Sequence, residues 1–172
     1  VTDGTGNTVF ESGMFDSTYR VVGENPAFEP HHDAISQSNV SQIYELAMGD
    51  VNFNFTSVLE RSANLLKDNR IPPVGFTTSA GMYDTVKVSN DALADADFNQ
   101  VNSVQGTGID FVHYHIPVTG NTTNLTIRTK VYYQSVPPKW VTDMFTYSSA
   151  EIDSFQNMFN AADQTPVLSG ED

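Results

Sequence analysis

The chain has no cysteine. Disulfides, thiolate metal sites, a cysteine nucleophile and covalent haem attachment through CxxCH are therefore excluded within its 172 residues. Basic residues are scarce, 8 against 21 acidic ones, and the formal charge of -13 argues against nucleic acid or an anionic membrane surface as a partner. A cation or a basic protein surface suits that charge better. No apolar run approaches the roughly 18 residues of a membrane-crossing helix, so no membrane span is expected. The first residues show neither a basic n-region nor a signal-like apolar core, and Val1 reads as a processed or excised terminus. GxSxG, HExxH, phosphate-loop and dinucleotide fingerprints are missing as well.

What is abundant is Thr, Ser, Asn, Val, Tyr and Phe, the composition of strands and polar loops. The length suits a single domain over 1–172. The expected fold class is mainly β, an antiparallel, jelly-roll-like β-sandwich with a C-terminal helix. Its spine is drawn from two stretches. In Ile109–Val118, Val112, Tyr114 and Ile116 share one face while Phe111, His113 and His115 share the other. Leu125–Tyr133 returns with Leu125, Ile127, Val131 and Tyr133 inward, joined to the first by a turn over Gly120–Asn124. Val51–Val58 alternates in the same way. Ser148 with Glu151 forms a capping-box pair, and Ile152, Phe155, Met158 and Phe159 mark one side of a helix over about 149–162. The polar stretch from Gly23 to Ser41 is long for a loop in a compact domain, which predicts that it is functional or pinned.

Two groups of residues have metal-ligand character. The HxH of His113 and His115 places two imidazoles on one strand face. Joined by His31 or His32, with Asp33 or Glu29 nearby, they would form a zinc or copper site. Asp91, Asp95, Asp97 and Asn99 offer oxygen ligands near one another, as a calcium loop does, although the EF-hand Gly and Glu are absent. The plain rival in each case is a solvated polar surface. Asp3–Asn7 (DGTGN) is a weaker candidate of the calcium kind. Asn54, Asn121 and Asn124 begin glycosylation patterns.

The most constrained stretch is Leu65–Phe76, LLKDNRIPPVGF, where an apolar pair, a charged knot and Pro72, Pro73 and Gly75 follow one another. With PHH and Ile35 at 30–35, QIYE at 42–45, DADFN at 95–99, GIDFVHYHI at 108–116 and VYYQSVPPKW at 131–140, this run resembles the C-terminal, haem-free β-rich region of certain bacterial multihaem c-type cytochromes and related exported proteins. The resemblance covers roughly Phe10 to Val167. His32 stands where that family's text has Tyr. Carried over by position, the recurring residues are His31, Lys67, Asp68, Asn69, Arg70, Asp95, Asp97, Asp110, Tyr133 and Gln134.

The resemblance implies a sandwich-like domain that is periplasmic, on the outer surface or secreted. It further implies a redox protein or a larger parent chain as partner, and no haem on this chain. The leading expectation is a noncatalytic accessory or binding module, with calcium as its possible ion. One rival is a metal-dependent enzyme or a copper or zinc protein built on His31, His32, His113 and His115. Another is a carbohydrate-binding module with Trp140, Tyr132 and Tyr147 along one groove. In all three readings the 65–76 run is a clasp, its leucines anchored in the core and Arg70 on Asp95 or Asp110.

Overall fold

The structure, a computed structural model, describes residues 1–120 and 124–172. Within them the strands are short and fall into five small sheets, four of two strands and one of three, so the chain is mainly β in small pieces. The chain divides into two compact units, residues 25–115 and residues 1–24 with 116–172. Among the described residues no helix is long and apolar enough to cross a membrane.

In the unit 25–115, Leu46–Gly49 is the middle strand of a three-stranded antiparallel sheet, flanked by Phe55–Thr56 and Asn64–Asp68. Its register sets Leu46 opposite Asp68 and Ala47 opposite Lys67, then slips at a bulge between Ala47 and Met48. The strand expected over Val51–Val58 is cut short. Asp50 Oδ1 accepts the N–H groups of Asn52 and Asn54 at 2.8 and 2.9 Å, a turn that leaves Phe53 at φ 64 and lets pairing begin only at Phe55.

The clasp run is built differently from its expected form. Leu65 and Leu66 are half-buried, whereas Lys67, Asp68 and Asn69 are buried. Pro72 to Gly75 lie along residues 106–108. The Gly75 N–H donates to the Gly106 carbonyl at 2.7 Å, and a Cβ on Gly108, at φ 66, would meet the Pro72 carbonyl at 3.0 Å. The polar stretch 23–41 is pinned in the middle, where Ala34–Ile35 pairs in parallel with His113–Tyr114 and Ile35 is fully buried. Val88, Ala92 and Phe98 make a small apolar cluster.

In the other unit, Thr2–Asp3 pairs with Leu125–Thr126 and Lys130–Tyr133 pairs with Val167–Glu171, both antiparallel. The expected spine hairpin is therefore not formed, since the stretches 109–118 and 125–133 each take other partners. Alternation records a half-wet face and carries no information on which strand lies alongside. Residues 121–123 of the expected turn, with the Asn121 pattern, lie outside the described residues. The terminal helix runs over Ala150–Ala161. Its cap is Ser149 and not Ser148: Ser149 Oγ accepts the Ile152 N–H at 3.2 Å, while Ser148 Oγ donates to Asp153. Phe155 and Phe159 close over Phe145, with ring centroids 5.9 and 5.5 Å from it.

Candidate functional site

Two clusters of imidazole and carboxylate, both in the unit 25–115, gather much of the chemistry that the sequence offers. The parallel bridge builds the outer one. Because the His113 N–H donates to the Asp33 carbonyl at 2.7 Å, the two side chains are set side by side. His113 Nε2 lies 3.9 Å from Asp33 Oδ1 and 3.6 Å from Asp97 Oδ2, too long for hydrogen bonds and suited to ligands that share one ion. Ligand atoms of Asp33, Asp97 and His113 all fall within 4.8 Å of one another. This cluster faces solvent, with the His113 side chain 55% exposed.

His31, Asp95 and Asp110 form the inner cluster, with ligand atoms equally close. His31 Nε2 is 2.9 Å from Asp95 Oδ2, and both side chains are almost fully buried. Phe98 meets the imidazole edge-on at 5.2 Å. On the far side of the ring, Nδ1 is 2.7 Å from Gln42 Nε2 and 3.1 Å from Asn69 Nδ2. Asp110 Oδ2 accepts the Tyr44 hydroxyl at 2.6 Å. The two clusters meet at Asp95-Ala96-Asp97, where the Asp97 N–H donates to Asp95 Oδ1 at 2.9 Å.

The two neighbouring carboxyls are shifted in opposite directions. Burial, the Asp95 charge and a hydrogen bond with Asp95 push the Asp97 carboxyl above its usual range, against a smaller pull from His113 and the Phe111 N–H. Burial alone would raise Asp95 too, but the Asp97 N–H and the His31 hydrogen bond outweigh it and hold Asp95 low. Desolvation and the hydrogen bond to Asp110 raise the Tyr44 phenol well above its ordinary value. Asp97 Oδ1 and Asp110 Oδ1 are buried and have no hydrogen-bond partner among the described residues, so each cluster holds one carboxylate oxygen with capacity left over.

A third polar group supports the inner cluster. Fully buried Lys67 donates through Nζ to the carbonyls of Glu29 and Ile43 and lies 3.5 Å from Glu45 Oε1. Glu45 Oε1 also accepts the Glu29 N–H at 3.1 Å, and Glu29 Oε1 is 2.9 Å from His32 Nε2. Arg70 does not reach Asp95 or Asp110. It grips Asp68 bidentately at 2.9 and 2.7 Å, because two residues back along the same strand end a carboxylate already presents both oxygens.

The metal-ligand residues read from the sequence are thus combined differently. In place of a four-histidine site and a separate calcium loop, Asp95 faces His31 and Asp97 faces His113. His32 turns to Glu29, and His115 is exposed, its N–H extending the parallel bridge to the Ile35 carbonyl at 2.8 Å. Asp91 is exposed in the short 3-10 helix Asn90–Leu93. Asn99 is engaged elsewhere: its amide donates to the Phe76 carbonyl at 2.8 Å and its oxygen accepts the Gly108 N–H at 3.0 Å. In the other unit, the Asp3 carboxylate is wrapped by Thr5 and Asn7 of its own loop, which hold its pKa to about 2. A groove of about 490 Å³ in that unit is lined by Tyr19, Val141, Phe145 and Phe159, without the Trp140, Tyr132 and Tyr147 expected of a sugar platform. Sequence reading missed Gln42 and Tyr44 as site residues. Their spacing of two is the signal that could have found them, since both reach Asp110. No family model, curated protein or solved structure matches the chain.

Proposed function

We propose that residues 25–115 form a noncatalytic module that binds a divalent cation where the Asp95-Ala96-Asp97 step lies between two imidazoles. The observation that carries this reading is the pair of buried carboxylate oxygens without partners, Asp97 Oδ1 and Asp110 Oδ1, one in each of two adjoining clusters. An ion would supply positive charge beside these buried carboxylates. The module's wider role follows the resemblance: an exported accessory of an electron-transfer protein, in a chain whose overall charge of -13 would steer it to a basic partner. A sandwich-like layering belongs to the same proposal. It rests on the resemblance, beside which the antiparallel ladder of Leu46–Gly49 with its two neighbours supports only the antiparallel pairing.

The test is elemental analysis of protein purified without added metal, followed by thermal unfolding with and without chelator. A stoichiometric divalent ion, or a melting temperature that rises when zinc, manganese or calcium is added, is the expected result. An ion at about 100 times its Kd stabilises by roughly 2.7 kcal/mol, which a melting curve resolves. A chain that carries no ion and melts at one temperature under every addition refutes the reading.

A further inference from the structure

Resting on that cation-binding reading, we infer that the ion is a zinc-class metal held by the outer trio Asp33, Asp97 and His113, and that His31 stays outside its coordination shell as the post that positions Asp95. The orientation of the Gln42 and Asn69 amides at His31 decides this. Gln42 Oε1 accepts the His32 N–H at 2.8 Å, so its NH2 group is the end aimed at His31 Nδ1. Asn69 Oδ1 accepts the Glu45 N–H at 2.8 Å and its NH2 donates to the Ile43 carbonyl at 3.0 Å, so it too turns an N–H toward Nδ1. Two donors on one ring nitrogen require a lone pair there. The ring proton is then on Nε2, pointing at Asp95 Oδ2.

A metal at His31 Nε2 would need that nitrogen's lone pair. The proton would have to move to Nδ1, against two N–H groups fixed by backbone partners, or leave the ring altogether as imidazolate. Neither site on His31 is open to an ion. Metal-bound imidazoles normally donate their second N–H to an oxygen, and His31 is supplied with the opposite arrangement.

His113 has no such constraint. Its Nε2 stands 3.6 and 3.9 Å from two carboxylate oxygens. Ligands at about 2.0–2.2 Å from zinc lie roughly 3.3–3.6 Å apart in a tetrahedron, and with all three ligand atoms within 4.8 Å of one another an inward adjustment of the exposed side chains closes the set. The exposed side of His113 leaves room for water as the remaining ligand. One nitrogen and two oxygens suit zinc or a similar first-row ion. Calcium takes six to eight oxygens, and Asn99, the next oxygen donor along the loop, is already bound to backbone. Asp95 contributes through Asp97: it accepts the Asp97 N–H and so fixes the loop that carries the ligand.

The experiment titrates the full chain with zinc chloride and, separately, calcium chloride by calorimetry. It compares the natural protein with His113→Ala and Asp33→Asn, both at exposed positions. Zinc is expected to bind more tightly than calcium, and each substitution to weaken zinc more than about tenfold. Because replacing buried His31 endangers folding, its role is read in the natural protein from long-range proton–nitrogen spectra of the histidine rings. His31 keeps its Nε2–H signature on zinc addition while the His113 ring signals shift. Zinc binding that survives His113→Ala, a change of tautomer at His31, or a preference for calcium each overturns this inference and leaves the cation-binding reading standing. A natural protein that binds neither ion removes both.

Discussion

Replacing Lys67 by Met probes the buried polar support of the site directly. Met nearly matches the volume of the Lys stem, so no cavity opens and the effect is that of the lost charge and its bonds. The Ile43 carbonyl keeps the Asn69 amide at 3.0 Å, and Glu45 Oε1 keeps the Glu29 N–H. The Glu29 carbonyl loses its lysine donor, a loss of about 1–3 kcal/mol for a buried acceptor. Glu45, its side chain 9% exposed, also loses the ammonium 3.5 Å away. Removing one partner of a buried pair typically costs about 3–5 kcal/mol in total, and that is the expected loss. Urea unfolding followed by circular dichroism is the assay, because the single tryptophan, Trp140, belongs to the other unit. A cycle with Glu45→Gln should show a coupling of roughly 0.5–3 kcal/mol. Arg70→Ala serves as the comparison: its guanidinium is half exposed, and it should lose only about 1 kcal/mol. A Lys67→Met protein within about 1 kcal/mol of the natural one refutes the reasoning, since a buried ammonium with three acceptors cannot be that dispensable.

Ser149→Ala should destabilise the unit that holds the terminal helix by about 1 kcal/mol, and Ser148→Ala by clearly less, because only Ser149 accepts the helix N–H; Trp140 fluorescence in urea reports it, and the reverse order would return the cap to the position expected from sequence. Tyr44 gives a pH test. Its folded pKa is raised above the unfolded value near 10, so its contribution to stability is complete below about pH 10 and is lost as pH climbs further, where the unfolded chain releases a proton that the native one keeps. Absorbance titration should show one of the seven tyrosines ionising last, a step that Tyr44→Phe removes; seven tyrosines titrating together would contradict it.

The readable parts of the fold were those that local rules control. The terminal helix declares itself through a stripe at helical spacing and a serine cap, and only the choice between adjacent serines is left to the structure. The pinning of residues 23–41 followed from the length of the polar stretch, although its partner, His113–Tyr114, could not be named. Strand partners were illegible because period-two alternation is a property of one strand, whereas pairing is a property of two. Thus alternation suggests for the 125–133 stretch only its nearest neighbour in sequence, whereas its ladders run to Thr2–Asp3 and Val167–Glu171.

The arrangement of the site is hard to read from sequence for a related reason, which the Leu65–Phe76 run makes plain. Hydropathy places Leu65 and Leu66 inside and Lys67, Asp68 and Asn69 outside, and the structure buries the polar trio more deeply. A long polar side chain is buried where backbone oxygens converge, and the carbonyls of Glu29 and Ile43, 38 and 24 residues away, converge on Lys67. Once Lys67 and Asn69 fix the 29–45 backbone, Gln42 and Asn69 can aim both amides at His31, and His31 can hold Asp95. The placing of Asp97 beside His113 therefore depends on a buried network seeded by the run that the sequence marks as its most constrained. Lys67→Met should accordingly weaken zinc as well as stability. A variant that remains folded but binds zinc with natural affinity would cut that connection and leave the outer trio as an independent site.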